Sequence, residues 1–446
     1  MTHYDDEALF EYVEGMSPVA ADIESHVSAC GRCSTEVGEQ REMIAGLGQK
    51  DVWESGPVPA PRKFVLNVAA FAERARQEDE RATVLCDEIL TGPSAWWRQR
   101  LRTSEGVQTA GMVKQLLERW RPMVQSSPPN ALQVTALAIE LANAIDIAEY
   151  PCDYVVKLRA QAFRDHAWVL SFMGRHPEAL DFVDHAKRLF EQVPLPEYDL
   201  ARVATVKALI LHAVDRKTEA VELAREAAAT FLRFGDRTRY LNAKIAEGIS
   251  LYENGAVSHA LEVWTSIDGD PALDEANAVQ IRHNLAICYA DLGQPDRALE
   301  HVQSCIAHFE FLGMDVARTR SRWLMGRALV ACGRQQDAIP VLRAAWQEFQ
   351  HFEMTGDAGL VALELAEALL LRGEADEVPA ICREVITQFT RAGMASRALT
   401  ALSFLREAVA IGQASPDLVR HVHAFLRKLP AEQPRLFAPP PRGAGE

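Results

Sequence analysis

The chain has 446 residues, of which 48% are hydrophobic and 24% charged, a composition typical of folded globular proteins. Its 47 basic and 62 acidic side chains give a formal net charge of −15, which argues against a protein that coats nucleic acid and favours a basic partner. No apolar run approaches the roughly 20 residues that cross a bilayer. The eight cysteines are too few for a disulfide scaffold and the N-terminus lacks a signal peptide's charge pattern, so we expect a cytoplasmic protein.

Histidine and cysteine come together near the N-terminus, in the segment HVSACGRC. This segment places His26, Cys30 and Cys33 in an H-x₃-C-x₂-C arrangement. His26 and Cys30 are one helical turn apart and can face the same point, and a Cys-x₂-Cys knuckle commonly binds one tetrahedral Zn²⁺. A tetrahedral site needs a fourth ligand, and His3 is the only histidine upstream. The sequence therefore predicts a zinc site formed by His3, His26, Cys30 and Cys33.

Two parts of this predicted metal site have alternatives. His3 is close to the N-terminus, where chains tend to fray, so Asp5, Asp6 or water could supply the fourth ligand instead. The two cysteines could also form a redox pair, although thioredoxin-like motifs require a βαβ context that this sequence does not contain. Zinc binding is the interpretation that the spacing favours.

The residues around the cysteines resemble the zinc-binding anti-sigma domain of bacteria over about residues 1–80. The shared features are a short acidic helix, a Tyr-Val-Glu-Gly turn, Ser-Pro and then H-x₃-C-x₂-C. The resemblance implies that residues 1–53 form a zinc-binding domain and that His3 matches the family's upstream ligand. It also implies that the partner is a sigma factor of RNA polymerase.

The size and the charge of this first segment fit such a role. A domain of about 50 residues buries too little surface to be stable unaided, so the metal would staple its helices together. Residues 1–50 carry ten acidic and three basic side chains, a balance of −7. An acidic module is suited to compete for the basic surface of a sigma factor.

Residues 54–80 connect this domain to the rest of the chain. The segment ESGPVPAPR at 54–62 contains three prolines and one glycine and is typical of a linker. Residues 63–80 have the spacing of an amphipathic helix. Its apolar stripe consists of Phe64, Val68, Phe71 and Ala75. A fourth helix clasps the sigma factor in the anti-sigma family, and the resemblance implies that role here; packing onto the following helices is the alternative.

The remaining sequence has helical spacing, and the absence of alternating β-branched runs predicts an all-α fold. Residues 81–154 include the Trp96–Trp97 pair and a helix that ends at Trp120, and they do not fit the repeat described next. We interpret them as a capping or bridging segment that can include one decayed repeat. Residues 430–446, which end in RLFAPPPRGAGE, are expected to form a disordered tail.

A repeat of 38–41 residues runs through the second half of the chain. Each unit has a helix-breaking residue, with Ala or Gly seven positions before it, Leu or Tyr four positions before it, and a small or apolar residue five positions after it. The breakers are Gly174, Asp215, Gly255, Gly293, Gly333 and Gly373. The residues five positions later are Ala179, Ala220, Ala260, Ala298, Ala338 and Val378. Small residues on both helices let a hairpin close tightly, so the pattern predicts about six antiparallel helical hairpins.

This pattern resembles the tetratricopeptide repeat over about residues 155–410, although the unit is nearer 40 residues than the usual roughly 34. The resemblance implies a right-handed, tetratricopeptide-like α-solenoid over residues 155–429. Phenylalanines recur eleven positions after the small residue, and we interpret them as core. They are Phe190, Phe231, Phe309, Phe349 and Phe389.

The inner face of such a solenoid is a candidate groove for a peptide or a protein. The residues expected on that face are Arg164, Trp168, His212, Tyr252, His283, Trp323 and Arg327. Packing between repeats is the alternative for each of these side chains.

The motifs together favour a regulator over an enzyme. The sequence contains no H-E-x-x-H, no P-loop and no G-x-S-x-G motif. The predicted function is that of a cytoplasmic zinc-dependent anti-sigma factor, with the solenoid as a sensor or protein-binding platform. The alternative is a tetratricopeptide scaffold in which the zinc knuckle is purely structural.

Overall fold

The computed structural model describes residues 3–4, 6–13, 17–47, 63–146, 150–214, 216–391, 396–410 and 412–428. The regular structure in these ranges is helical and contains no strand, which confirms the predicted all-α class. The predicted linker at 54–62 and tail at 430–446 lie outside the described residues. The chain divides into two compact units, Met1–Glu78 and Asp79–Glu446.

The first unit contains short helices around a small apolar core. The helices are α1 (Asp6–Val13), α2 (Ala20–Ala29) and α3 (Gly31–Leu47). The core side chains, each at most 2% exposed, are Leu9, Ile23, Cys33 and Val37. A core of this size supplies little hydrophobic stabilisation. A further cross-link between the helices therefore matters for the stability of this unit.

A long helix, α4 (Lys63–Leu90), contains the point at which the two units divide. The helix predicted over residues 63–80 is present and continues past residue 80. Two side chains of the predicted apolar stripe, Phe71 and Ala75, are half-buried. The side chains of the stripe that lie outside the described set are those of Phe64 and Val68.

The second unit is a row of helical hairpins. After the last turns of α4 it continues with α5 (Trp97–Thr103), α6 (Ala110–Ser126) and α7 (Pro128–Ala144). The six predicted hairpins follow as α8 (Cys152–Phe172) with α9 (His176–Phe190), α10 (Glu197–Leu211) with α11 (Lys217–Arg233), α12 (Arg237–Glu253) with α13 (Val257–Ile267), α14 (Glu275–Asp291) with α15 (Pro295–Phe311), α16 (Asp315–Ala331) with α17 (Gln335–His351), and α18 (Thr355–Leu371) with α19 (Val378–Arg391). The last helices are α20 (Ser396–Ala410) and α21 (Pro416–Lys428). The repeated hairpin architecture is therefore confirmed.

The first helix of each predicted hairpin ends in the same hydrogen-bonded turn. In the first hairpin Gly174 has a φ of 79°, a left-handed conformation that favours glycine. The N–H of Arg175 then donates to the carbonyl of Leu170 at 2.9 Å and closes the helix end. The same bond recurs from Arg216 to Leu211, Ala256 to Leu251, Gln294 to Tyr289, Arg334 to Leu329 and Glu374 to Leu369. The Leu or Tyr column thus supplies the acceptor that ends each helix; the breaker Asp215 itself lies outside the described residues.

The small-residue and phenylalanine columns form the centre of the array. Every residue five positions after a breaker, from Ala179 to Val378, is 0% exposed. The five phenylalanines of the second column are at most 3% exposed, which confirms their interpretation as core. A ring at this position packs across the hairpin, as in the edge-to-face contact of Phe349 with Trp323 at 5.9 Å between ring centroids.

The segment before the repeats contains a hairpin of the same kind, formed by α6 and α7. It packs on α8 through aromatic and polar contacts. The ring centroids of Trp120 and Trp168 are 5.2 Å apart, and Nε1 of Trp120 donates to Asp165 at 3.1 Å. The hydroxyl of Thr135 lies 2.8 Å from Nδ1 of His166. The hairpin therefore extends the row at its N-terminal end, as the interpretation of a decayed repeat allowed.

The array also contacts itself between distant hairpins. The N–H of Ala317, third residue of α16, donates to Oε1 of Gln125 at 3.2 Å, although 192 residues separate them. Arg320 donates to the carbonyl of Phe172 at 3.3 Å and lies 4.6 Å from the centroid of its ring. Arg320 is also 3.6 Å from a carboxylate oxygen of Asp357. We name these interactions the closure contact.

The closure contact supplies hydrogen-bond partners for backbone groups at two helix ends, the start of α16 and the end of α8. Residue Met314, which precedes α16, offers no side-chain cap, so the amide of Gln125 supplies an acceptor for one of the first N–H groups of α16. Phe172 is the last residue of α8, where a cation is favoured by the helix dipole. The two helices therefore depend on partners from the opposite part of the row.

We expect the substitution Arg320→Met to destabilise the closure contact by about 2 kcal/mol, because it removes a charged hydrogen bond and a cation–π contact. Amide hydrogen exchange should become faster in the first turn of α16 and the last turn of α8. The control is Arg343→Met, which removes an exposed pair with Glu377. Unchanged exchange at both helix ends would show that the closure contact contributes no stability.

Candidate metal centre

The four predicted zinc ligands converge on one point in the first unit. Their ligand atoms, one from each of His3, His26, Cys30 and Cys33, all lie within 4.8 Å of one another. Nδ1 of His3 is 3.4 Å from Sγ of Cys30 and 3.7 Å from Sγ of Cys33. The structure thus brings together all four residues that the sequence proposed.

These separations fit a tetrahedral metal site. With Zn–S near 2.3 Å and Zn–N near 2.0–2.1 Å, a tetrahedron places nitrogen and sulfur ligands about 3.6 Å apart. The two distances from His3 lie on either side of that value. Nε2 of His26 is buried and has no hydrogen-bond partner among the described residues. A metal ion would satisfy this nitrogen, so the donor set suits Zn²⁺.

Local backbone structure directs each ligand towards the site. His26 lies in the last turn of α2, and Cys30 follows that helix in an extended conformation with φ −118° and ψ 105°. Gly31 then begins α3, which carries Cys33. The ring of Tyr4 contacts His26 edge-on at 5.2 Å between centroids and fixes the imidazole plane. The metal would therefore cross-link α2, α3 and the residues before α1.

The electrostatics at the start of α3 stabilise the charged form of Cys30. The backbone N–H of Cys33 lowers the pKa of the Cys30 thiol, and Arg32 acts in the same direction. Cys30 lies directly before α3, where the helix dipole favours negative charge. Zn²⁺ binds thiolates, so this setting suits Cys30 as a metal ligand.

Of the residues considered for the fourth ligand, the structure describes the side chain of His3 and not those of Asp5 and Asp6. The position of Asp5 and the side chain of Asp6 lie outside the described residues. His3 is described, and its nitrogen has the required distances to both sulfur atoms. The two cysteines are free thiols and not a disulfide. The described geometry therefore places His3 where a fourth ligand is needed.

The side chains predicted for the inner face of the solenoid contact their neighbours in the array. His283 is 4% exposed and lies 2.9 Å from the hydroxyl of Ser321, and burial lowers the pKa of its imidazole to about 3. Arg164 is buried in an ion pair with Asp165. Packing between repeats, which was the alternative, therefore describes His283, whereas the contact of Arg164 is with the next residue of its own helix.

Arg327, Tyr252 and Trp323 belong to one polar network. Arg327 lies 2.8 Å from Asp291 and 3.6 Å from Glu364. The hydroxyl of Tyr252 donates to Asp291, and Nε1 of Trp323 donates to Glu364 at 2.5 Å. The two acidic partners, Asp291 and Glu364, were not among the residues predicted from the sequence. Both residues lie on the first helix of a hairpin, Asp291 on α14 and Glu364 on α18, as the predicted inner-face residues do. This shared position is the signal that could have identified them.

The last two predicted inner-face residues make aromatic contacts. Trp168 stacks on Phe172 at 5.3 Å between ring centroids, in addition to its contact with Trp120. The ring of His212 is 6.2 Å from that of His176, and burial lowers the pKa of both imidazoles to about 4. Both histidines are therefore neutral at pH 7.

Comparison with known proteins agrees with the class of the second unit. Residues 279–304, which include the turn between α14 and α15, match the tetratricopeptide repeat family model. No curated protein matches the sequence. The row of hairpins and this match define a tetratricopeptide-like helical repeat protein, preceded by a candidate metal centre. Among the described residues, no helix has both the length and the apolarity needed to span a bilayer.

Solved structures that are similar to this chain include the following three. A Rap protein complexed with Competence and Sporulation Factor has 12% identity and a TM-score of 0.46, with 79% of this chain and 99% of that chain covered. The quorum sensor NprR from B. thuringiensis has 10% identity and a TM-score of 0.43, with 77% and 99% covered. A signal transduction ATPase with a tetratricopeptide repeat sensor, PH0952 from Pyrococcus horikoshii, has 10% identity and a TM-score of 0.43, with 95% and 71% covered.

Proposed function

We propose that this chain is a zinc-dependent anti-sigma factor that acts in the cytoplasm and catalyses no reaction. Its first unit would bind a sigma factor and keep it from RNA polymerase. The second unit would serve as a sensor or as a platform for a further protein. The observation that carries the proposal is the convergence of His3, His26, Cys30 and Cys33, the ligand set of the anti-sigma resemblance.

Charge supports the choice of partner. Residues 1–50 contain ten acidic and three basic side chains, a balance of −7. Such a surface attracts a basic partner and repels the acidic backbone of nucleic acid. In this proposal zinc has a structural part: it would hold α2 and α3 at a fixed angle and so position the acidic surface.

The test is co-expression of the full chain with sigma factors from its own organism, followed by co-purification. We expect the complex and about one zinc ion per chain with the native protein. The double substitution Cys30→Ser with Cys33→Ser should abolish both. The matched control is Cys152→Ser, because Cys152 is exposed and remote in sequence from the ligands. A double variant that lacks zinc and still retains the sigma factor would exclude the proposed mechanism.

A scaffold with a purely structural zinc knuckle is the second candidate. It is favoured by the position of Cys33, which is 2% exposed and packs in the small core with Leu9, Ile23 and Val37. In that case the double variant would still capture every partner of the native chain. Identifying the captured proteins by mass spectrometry separates the two candidates, since only the first requires a sigma factor among those lost.

A further inference from the structure

Three successive hairpins bring a group of charged side chains together in the second unit. The cations come from the first helices of these hairpins, α8, α10 and α12. They are Lys157, Arg164, Arg202 and Arg239. The anions that face them are Asp165, Asp199 and Asp236. We name these seven residues the arginine cluster, and its formal charge is 4 − 3 = +1.

Each aspartate of the arginine cluster already has partners. Asp165 accepts hydrogen bonds from Arg164 at 2.5 Å and from Nε1 of Trp120 at 3.1 Å. Asp199 is 3.4 Å from Lys157 and 3.4 Å from Arg202. Each of these two carboxylates is therefore already paired with a cation of the cluster.

The third aspartate is held in a similar way. Asp236 accepts a hydrogen bond from the hydroxyl of Tyr198 at 2.6 Å and one from the backbone N–H of Arg239 at 2.9 Å. The side chain of Arg239 donates to that same hydroxyl at 3.0 Å and lies 3.7 Å from the carboxylate. Asp236 thus caps the N-terminus of α12.

Two guanidinium groups are left with unused donors. Nη1 of Arg164 and Nε of Arg202 are buried and have no hydrogen-bond partner among the described residues. The side chain of Arg164 is 5% exposed and that of Arg202 is 14% exposed. A buried N–H donor without an acceptor is unfavourable even when the charge of its group is paired elsewhere. The arginine cluster therefore has donors for a further acceptor.

The titration of Arg202 is consistent with this deficit. Burial, together with the like charges of Arg164 and Arg239, lowers the pKa of its guanidinium to about 10. A group whose charged form is disfavoured in this way gains from a new anion. The exposure of the cluster is graded, because Lys157 and Arg239 are 38% and 37% exposed while Arg164 is buried. Lys157 and Arg239 are therefore the most exposed cations of the cluster.

We propose that the arginine cluster is a binding site for an oxyanion, either a carboxylate or a phosphate group. A planar guanidinium presents a fork of donors that matches two oxygens of such a group. Binding would bring the cluster from +1 to neutrality or beyond and would join three consecutive hairpins. The proposal is independent of the zinc centre, which lies in the other unit.

The experiment uses the full chain and two probes, potassium phosphate and a blocked peptide of four glutamates. Thermal unfolding and calorimetric titration are measured against potassium chloride at equal ionic strength, and a blocked peptide of four glutamines serves as the neutral control. We expect one probe or both to bind and to raise the unfolding temperature. If phosphate binds, a free inorganic ion is a sufficient ligand for the site. If only the glutamate peptide binds, the ligand of the site is a carboxylate carried by a peptide.

Substitutions place the site at the arginine cluster. Arg202→Met should weaken binding about tenfold or more, and Arg239→Met, at the exposed edge, should weaken it in the same direction without disturbing the buried side chains. Arg216→Met is the matched control, because Arg216 forms only an exposed pair with Glu219 one turn away. The proposal is overturned if neither probe binds, or if Arg202→Met and Arg239→Met bind as the native chain does.

Discussion

Replacing Cys33 by serine is expected to remove the metal and to unfold the first unit while the helical array stays folded. Cys33 is both a candidate ligand and one of the few buried side chains described in this unit. Zinc binding contributes about 10–16 kcal/mol to folding in small zinc-dependent domains, more than such a core can replace. Zinc should fall from about one ion per chain to none by elemental analysis, and amide exchange over residues 6–47 should become fast.

The second unit serves as the internal reference for this prediction. Amide exchange in α8 to α19 should stay unchanged, because these helices have a core of their own. Cys152→Ser, which changes an exposed cysteine, should leave both zinc content and exchange unaltered. A metal-free Cys33→Ser chain in which α2 and α3 keep their protected amides would contradict a stapling role for zinc.

His3 is the ligand whose replacement separates a three-residue site from a four-residue site. We expect His3→Gln to weaken zinc binding and not to abolish it, because water can complete a site held by His26, Cys30 and Cys33. Substitution with Co²⁺ makes the coordination visible, since its absorption spectrum reports ligand number and type. An identical Co²⁺ spectrum in the native chain and in His3→Gln would mean that another group is the fourth ligand.

The ligand set could be predicted from the sequence because its geometry is mostly local. One helical turn separates His26 from Cys30, and a short knuckle separates Cys30 from Cys33, so spacing alone directs three ligands to one point. The hairpins were equally accessible, since small residues and turn glycines recur at fixed offsets. Both predictions depend on neighbours within one supersecondary element.

The closure contact and the arginine cluster could not be predicted in this way. Gln125 and Ala317 are 192 residues apart, and whether they meet depends on how rotation accumulates over several hairpins. The spacing of residues within one repeat does not determine this accumulated rotation. Likewise Arg164, Arg202 and Arg239 do not occupy equivalent positions in their repeats, so they belong to no column of the repeat pattern. Such contacts are properties of the curvature of the array.

Gly248→Ala is expected to be among the most damaging small substitutions in the array. Gly248 lies in α12 with ordinary helical backbone, so alanine is not excluded by conformation. A Cβ at this position would lie 2.2 Å from Nε1 of Trp264 in α13, well inside van der Waals contact. Trp264 is 1% exposed, and its Nε1 donates to the carbonyl of Ile245 at 3.3 Å, so the ring has little freedom to move. Overpacking of this kind costs about 1–3 kcal/mol.

Two further variants attribute this loss to the contact between α12 and α13. Gly356→Ala is the matched control, since Gly356 is also helical but a Cβ there meets nothing within 4 Å. Higher helix propensity should make that variant neutral or more stable by up to about 1 kcal/mol. Trp264→Leu removes the obstructing ring, so in urea unfolding the double variant should be less destabilised than the sum of the single variants. Two results would contradict this explanation: additive losses of stability in the double variant, or a Gly248→Ala chain as stable as the native one. Either would mean that α12 and α13 can move apart and that Gly248 is not what allows their close approach.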